Sequence, residues 1–266
     1  MSAPTLERPG GATGATSQPP TRSGSDAALP RRAFVTQVMG LPVSAHVRGR
    51  VDTPEVEAAV GQVWSTLQKV DALFSTWRTD SELMRLRRGE LDGALAHPWH
   101  EEVALLCAEA QRRTAGLFTA SYPGAGGYDP TGLVKGWAVA KAAAHLANVP
   151  GISFCLNAGG DLVAGAGRDT RPSTWRVGIE DPARPGIVAA TLDLATGGLA
   201  TSGTAARGAH IADPRSGGAV ERTGSATVWG PSLLWADVWA TALFVDPVAG
   251  REALAVNDPQ YRTFVL

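Results

Sequence analysis

Residues 131–161 read TGLVKGWAVAKAAAHLANVPGISFCLNAGGD, and the change of pattern within them decides the fold class. A helix is expected over about 133–147. After Pro150 the chain switches to strands, the first at 152–156, running into Asn157-Ala158-Gly159-Gly160-Asp161. Further strands are expected at 175–179, 187–194, 209–211 and 225–228, each bounded by Gly, Pro or Asp, before a helix at 232–245 and a closing strand at 262–265. Upstream, apolar and polar residues alternate from Phe34 to Val47, which suits two strands turned near Gly40. Thr53 followed by Pro54, with Glu55 and Glu57 in the first turn, starts a helix by capping, proline placement and dipole. Its Val56, Val60, Val63, Leu67 and Val70 form one apolar stripe, and a further helix is expected at 98–113. Strands and helices mix without the regular alternation of a doubly wound sheet, so the class is α+β.

The 266 residues suffice for one enzyme-sized unit with a substantial core. A formal net charge of -1 gives no dense basic surface for a polyanion, which excludes nucleic acid as a partner. Cys107 and Cys155 are the only cysteines, too few for a disulfide framework and without the paired spacing of a zinc site. No stretch approaches the roughly 20 apolar residues that span a bilayer. Residues 1–32 carry Gly, Ser, Thr, Pro and Ala with almost no large apolar side chains, and are expected to be a disordered leader to a domain at 33–266. Arg31-Arg32 is followed by no uninterrupted apolar segment, so no export signal or membrane anchor is expected and the location is read as cytoplasmic.

Four clusters could carry chemistry. In Tyr128-Asp129-Pro130-Thr131-Gly132-Leu133-Val134-Lys135-Gly136-Trp137 a loop turns into a helix, whose free amides can hold an anion while Lys135 adds a point charge. The plainer alternative makes Asp129 or Thr131 a helix cap and Lys135 a solvated side chain. The paired glycines of Asn157-Ala158-Gly159-Gly160-Asp161 let backbone approach a ligand, or simply form a hairpin turn. Ala200-Thr201-Ser202-Gly203 and Ala209-His210-Ile211-Ala212-Asp213-Pro214 place hydroxyls and a histidine between strands, where His210 could be a base, a phosphate donor or a core histidine. Asp237 and Thr241 share one face of an otherwise apolar helix, so Asp237 needs a partner, either a hard cation or an arginine.

Taken in this order, the four clusters resemble the ApbE family of FAD:protein FMN transferases. Met39-Gly40, Phe74-Ser75-Thr76-Trp77 with Asp80-Ser81-Glu82-Leu83, and Trp175-Arg176-Val177-Gly178-Ile179-Glu180-Asp181-Pro182 extend the resemblance over about 34–265. The resemblance implies an α+β fold around a flavin cleft and the transfer of FMN from FAD to a Thr or Ser of an acceptor flavoprotein, with release of AMP. It implies Mg²⁺ held by the Gly132 carbonyl, Asp237 and Thr241, with Ala240 close by. Met39, Trp77, Asp129, Lys135 and Ile211 would line the FAD site, and Thr201, Ser202, Gly203 and His210 would lie beside the reacting phosphate. His210 is the expected proton acceptor, with Lys135 and Asp237 acting on the phosphates. Thr119 stands where the family usually has an Asp at the flavin site, and the segment from there to Tyr128 is short and glycine-rich. A pyrophosphatase releasing FMN and AMP, or a non-catalytic FAD-binding protein, would use the same residues.

Overall fold

The computed structural model describes residues 6–7, 29–122, 127–204 and 211–266. The leader expected at 1–32 therefore lies largely outside the described residues. Within it, β1 (Leu6–Glu7) pairs with a strand far along the chain. Strands β2 (Arg31–Val38) and β3 (Leu41–Gly49) form the expected hairpin. Its turn is Met39-Gly40, with φ of 57° and 69°, a pair of left-handed residues that matches the twist of the flanking strands.

Three helices follow: α1 (Pro54–Phe74), α2 (Glu82–Arg87) and α3 (Trp99–Arg113). Thr53 caps α1, its side chain accepting from the Val56 amide, and Pro54 fills the first turn. After a short pairing of β4 (Ser121–Tyr122) with β5 (Gly127–Tyr128) comes α4 (Thr131–Ala147). The remainder is β6 (Ile152–Ala158), β7 (Asp161–Ala166), β8 (Trp175–Glu180), β9 (Val188–Leu194), β10 (Gly197–Gly203), β11 (Ser225–Gly230), α5 (Leu233–Val245), α6 (Pro247–Asn257) and β12 (Arg262–Val265).

Among the described residues, seven strands form one antiparallel sheet in the order β12-β11-β10-β7-β6-β3-β2. Period-two alternation assigns its side chains to two cores. Ile152, Phe154, Leu156, Ala200, Ala226 and Val228 face a layer built from α1, α4 and α5. Cys155, Leu162, Ala164, Leu199, Trp229 and Phe264 face the β8–β9 hairpin through Ile179, Ala190, Leu192 and Leu194. A strand covered on both sides is buried along nearly all of its length, as β6 is, where even Ser153 is buried and hydrogen-bonded to Arg171 and Ser173.

Helix α5 is buried nearly all round because it lies between the sheet, α4 and α6. One end of this packing is tied by Asp258, which accepts from Trp239 Nε1 at 2.9 Å and meets Arg113 at 3.1 Å. No helix among the described residues is long and apolar enough to cross a membrane.

Elements β7, β10, α2 and α6 lie outside the sequence expectation. Strand β10 opens with Gly197-Gly198 and closes with Gly203, residues poor in strand propensity, and it forms because β7 and β11 template it from either side. For the strand expected at 209–211, residues 209 and 210 lie outside the described residues, and an isolated bridge joins Ala212 to Ala219.

The sheet and α5 approach most closely at Gly198, where an added Cβ would fall 2.3 Å from the Leu233 Cα. Backbone on both sides leaves no flexible atom to yield. Gly198→Ala is expected to lose about 2 kcal/mol or more of stability in urea unfolding, by pushing β10 off α5.

Candidate functional site

A cleft of ≈ 920 Å³ opens where these elements converge. Its walls come from two hairpin turns, Met39 with Leu41 and Gly159-Gly160, from 74–77 after α1, and from 178–182 at the end of β8. Its floor is the start of α4, the inner face of α5 and the end of β10.

Asp129 prepares the entry to α4. Its Oδ1 accepts from the Thr131 amide at 3.0 Å and the Thr131 hydroxyl at 2.6 Å, which satisfies an amide of the first turn. Arg87 holds this corner by donating to the Tyr128 carbonyl at 2.7 Å and pairing with Asp129 at 3.5 Å. Asp129 thus caps the helix and also lines the cleft.

Lys135, one turn inside α4, is only partly exposed. Its Nζ is ion-paired with Asp161 Oδ2 and stands 3.6 Å from Asp237 Oδ1. Asp161 and Asp237 are 1% and 2% exposed, so two buried carboxylates share this ammonium. Asp237 Oδ2 accepts from the Gly136 amide at 3.0 Å, and Asp161 Oδ1 accepts from the Thr201 amide at 3.1 Å. Gly136 is required for this arrangement, because a Cβ there would sit 2.8 Å from the Asp237 Cβ and 3.1 Å from the Leu233 carbonyl oxygen.

Burial pushes the Asp237 carboxyl up to about 7; Lys135 pulls it down and the Asp161 charge pushes it further up. Beside it, Thr241 Oγ1 lies 3.2 Å from Ser202 Oγ, and Thr201 Oγ1 lies 2.9 Å from Thr227 Oγ1. The cleft therefore presents a carboxylate short of positive charge next to a pair of hydroxyls.

Of the residues expected from sequence, Met39, Trp77, Asp129, Gly132, Lys135, Thr201, Ser202, Gly203, Ile211, Asp237 and Thr241 all line this cleft. Trp77 stands on the rim, 95% exposed. Ala240 is fully buried within α5 between Asp237 and Thr241. Thr119 is buried outside the lining residues, its Oγ1 accepting from the Ser121 amide at 3.1 Å. His210 lies outside the described residues.

The residue that sequence reasoning passed over is Asp161, read there only as part of a glycine turn. Its signal was a carboxylate directly after a glycine pair that follows a predominantly apolar strand. Arg87 carried no signal, because its partners are 41 and 42 positions away.

Fold and site together define an α+β protein with a charged cleft at the strand ends of an antiparallel sheet. The ApbE family model matches residues 126–265, just over half of the chain, and the chain belongs to that family. It is 26% identical over 297 aligned positions to the FAD:protein FMN transferase of Klebsiella pneumoniae, covering 81% of this chain and 84% of that protein. With the FAD:protein FMN transferase of Salmonella typhimurium it shares 32% identity over 157 residues, only 47% of this chain and 45% of that protein. Among solved structures, the Pseudomonas stutzeri flavinyl transferase ApbE in its apo form superposes with a TM-score of 0.70 at 22% identity, covering 89% of this chain and 91% of that one.

The raised carboxyl has a consequence for stability. Unfolding returns Asp237 toward its ordinary value of 3.8, so its folded-state proton is held more tightly. This contribution is fully present below the unfolded value and is lost as pH rises through the folded one. In metal-free protein, Asp237→Asn is expected to raise Tm above wild type at pH 8, with the gain shrinking toward pH 4. Parallel melts with a chelator across that range check it.

Proposed function

We propose that this chain is a Mg²⁺-dependent FAD:protein FMN transferase, moving FMN from FAD to the hydroxyl of a Thr or Ser of an acceptor flavoprotein and releasing AMP. The observation that carries the reading is the centre formed by Lys135, Asp161 and Asp237, with Thr241 and Ser202 beside it, in the cleft of an ApbE-family chain. The Klebsiella and Salmonella relatives are named FAD:protein FMN transferases, which supports the transfer of FMN from FAD to a protein.

The residues present suit a hard cation. Among the described residues no group of three or more His, Cys, Asp or Glu is placed to hold a metal. The site offers oxygens: the Asp237 carboxylate, the Thr241 hydroxyl and the start of α4 at Gly132, all lining the cleft. Mg²⁺ commonly takes one or two carboxylates and completes its shell with phosphate and water. Gly132, Asp237 and Thr241 would hold it, with Ala240 fixing the spacing of the latter two along α5. When bound, it would neutralise charge on the pyrophosphate.

The chain's own residues account for the rest. Lys135 faces the phosphates as a second positive charge against the pyrophosphate as it is cleaved. The acceptor oxygen forms a bond to the FMN phosphorus while the bond from that phosphorus to the AMP oxygen breaks. The hydroxyl proton passes to His210, assigned by its place next to the cleft-lining Ile211. Trp77, Met39 and Ile211 offer apolar surface to the flavin and adenine rings, and Asp129 fixes the wall from which Lys135 projects. In this reading the transferase unit runs from Arg31, where β2 begins two residues before the expected boundary, with Leu6–Glu7 of the preceding segment paired to β9, and the acceptor is met in the cytoplasm.

Incubation with FAD, Mg²⁺ and an acceptor flavoprotein is expected to add one FMN to the acceptor by intact mass, with one AMP released per adduct. Free FMN with an unmodified acceptor would show water as the nucleophile and overturn the transfer. Asp237→Ala, or chelation of wild type, is expected to lower AMP release by at least about 100-fold.

His210→Asn separates proton transfer from binding. Turnover is expected to fall by about 100-fold or more while FAD affinity, read by flavin fluorescence, stays within a few-fold of wild type.

A further inference from the structure

We propose that Asp161 is a positioning residue for Lys135, holding this cleft-lining ammonium off the Asp237 carboxylate. This inference deepens the transferase reading and rests on it for the identity of the ligand.

Asp161 has no work to do in the turn that precedes it. Gly159 and Gly160, with φ of 60° and 100°, already form the two-residue hairpin, closed by the pairing of Ala158 with Asp161. The polar contact that steadies the turn comes from Asn157, whose Oδ1 accepts from the Gly160 amide at 3.2 Å. A carboxylate at 1% exposure is costly unless both of its oxygens are engaged. In Asp161 they are, on two different elements: Oδ2 on Lys135 of α4 and Oδ1 on the Thr201 amide of β10.

The competition at Lys135 gives this geometry its meaning. Asp161 holds the ammonium as the tighter partner, while Asp237 stands off at 3.6 Å. With Asp161 neutralised, the nearest remaining carboxylate is Asp237, and the ammonium would close onto it. That collapse would withdraw Lys135 from the phosphates. It would also occupy the carboxylate assigned to the cation. Asp161 prevents both, and through the Thr201 amide it keeps the β10 hydroxyls in register with Thr241.

The sign of the effect on FAD binding separates positioning from charge alone. Removing a negative charge from a site for an anionic ligand should tighten binding by simple electrostatics. Loss of positioning should weaken it. FAD dissociation constants are measured by flavin fluorescence in EDTA for wild type, Asp161→Asn, Lys135→Met and the double variant, with Tm recorded for each. Asn retains an oxygen for the Thr201 amide and removes only the charge that holds Lys135.

The expected result is about tenfold weaker binding for Asp161→Asn in the wild-type background and no weakening in the Lys135→Met background. Binding as tight as wild type or tighter for Asp161→Asn overturns the inference, and so does an equal weakening in both backgrounds. If Asp161→Asn folds poorly, Asp161→Ser carries the same comparison with a hydroxyl acceptor for Thr201. Wild type that binds FAD but transfers nothing defeats the transferase reading and leaves this comparison intact. Transfer by wild type together with undiminished FAD binding by Asp161→Asn defeats only the role given to Asp161.

Discussion

The approach of α4 to α5 at Gly136 is the constraint from which the cleft is built. Because residue 136 has no Cβ, the Asp237 carboxylate reaches the helix α4 backbone and accepts the Gly136 amide at 3.0 Å. The same closeness brings Lys135, the preceding residue, within 3.6 Å of that carboxylate. Gly198 plays the matching part on the other side of α5, where the β10 backbone lies against Leu233. Helix α5 is therefore approached by side-chain-free backbone at Gly136 and Gly198, and also at Gly250 of α6, where an added Cβ would lie 3.1 Å from the Leu243 Cα. Its polar residues face the cleft, and the rest is sealed in apolar packing.

The antiparallel sheet supplies the frame for that contact. Each tight hairpin turn ends a strand at a fixed place, and two of them, Met39-Gly40 and Gly159-Gly160, arrive at the cleft from neighbouring strands of the sheet. Met39 holds φ of 57° without being glycine, a conformation costing about 1 kcal/mol for an L residue. The neighbouring paired turn, by contrast, is all glycine. A side chain is thus retained at the one turn position where it contributes a wall to the cleft.

Legibility in the sequence followed the range of the interactions. The caps of α1 and α4 are local, so Thr53 and Pro54 could be read directly, and Asp129 could be named as a capping candidate. The α5 pair Asp237 and Thr241 was visible because a four-residue spacing on an apolar helix needs no tertiary knowledge. Strand β10 was not visible: its glycines argue against a strand, and it is held by partners at 162–164 and 225–230. Helix α6 follows α5 directly, with Asp246 ending one and capping the other, and a single stop signal concealed a restart. Asp161 was hidden for a similar reason. A Gly-Gly-Asp sequence satisfies a turn by itself, and only the fold shows that its carboxylate points to Lys135 and Thr201 instead.

Two buried carboxylates around one ammonium are a poor choice for stability alone. A fold selected only to persist would replace Asp237 with an apolar residue, since isosteric hydrophobic packing often equals or exceeds a buried ion pair. Desolvation raises the Asp237 carboxyl and Lys135 opposes that rise, so a further cation would stabilise the buried charge. Under the proposed function, a divalent ion and an anionic ligand would change that balance together. The cation would stabilise the carboxylate, and the ligand's phosphates would stabilise the cation and Lys135. Each component would lower the cost of the other, so their binding would be coupled through the charge of this centre even with no movement of the backbone. The burial of Asp237 between α4 and α5 that opposes stability would then be the same property that favours metal and ligand together.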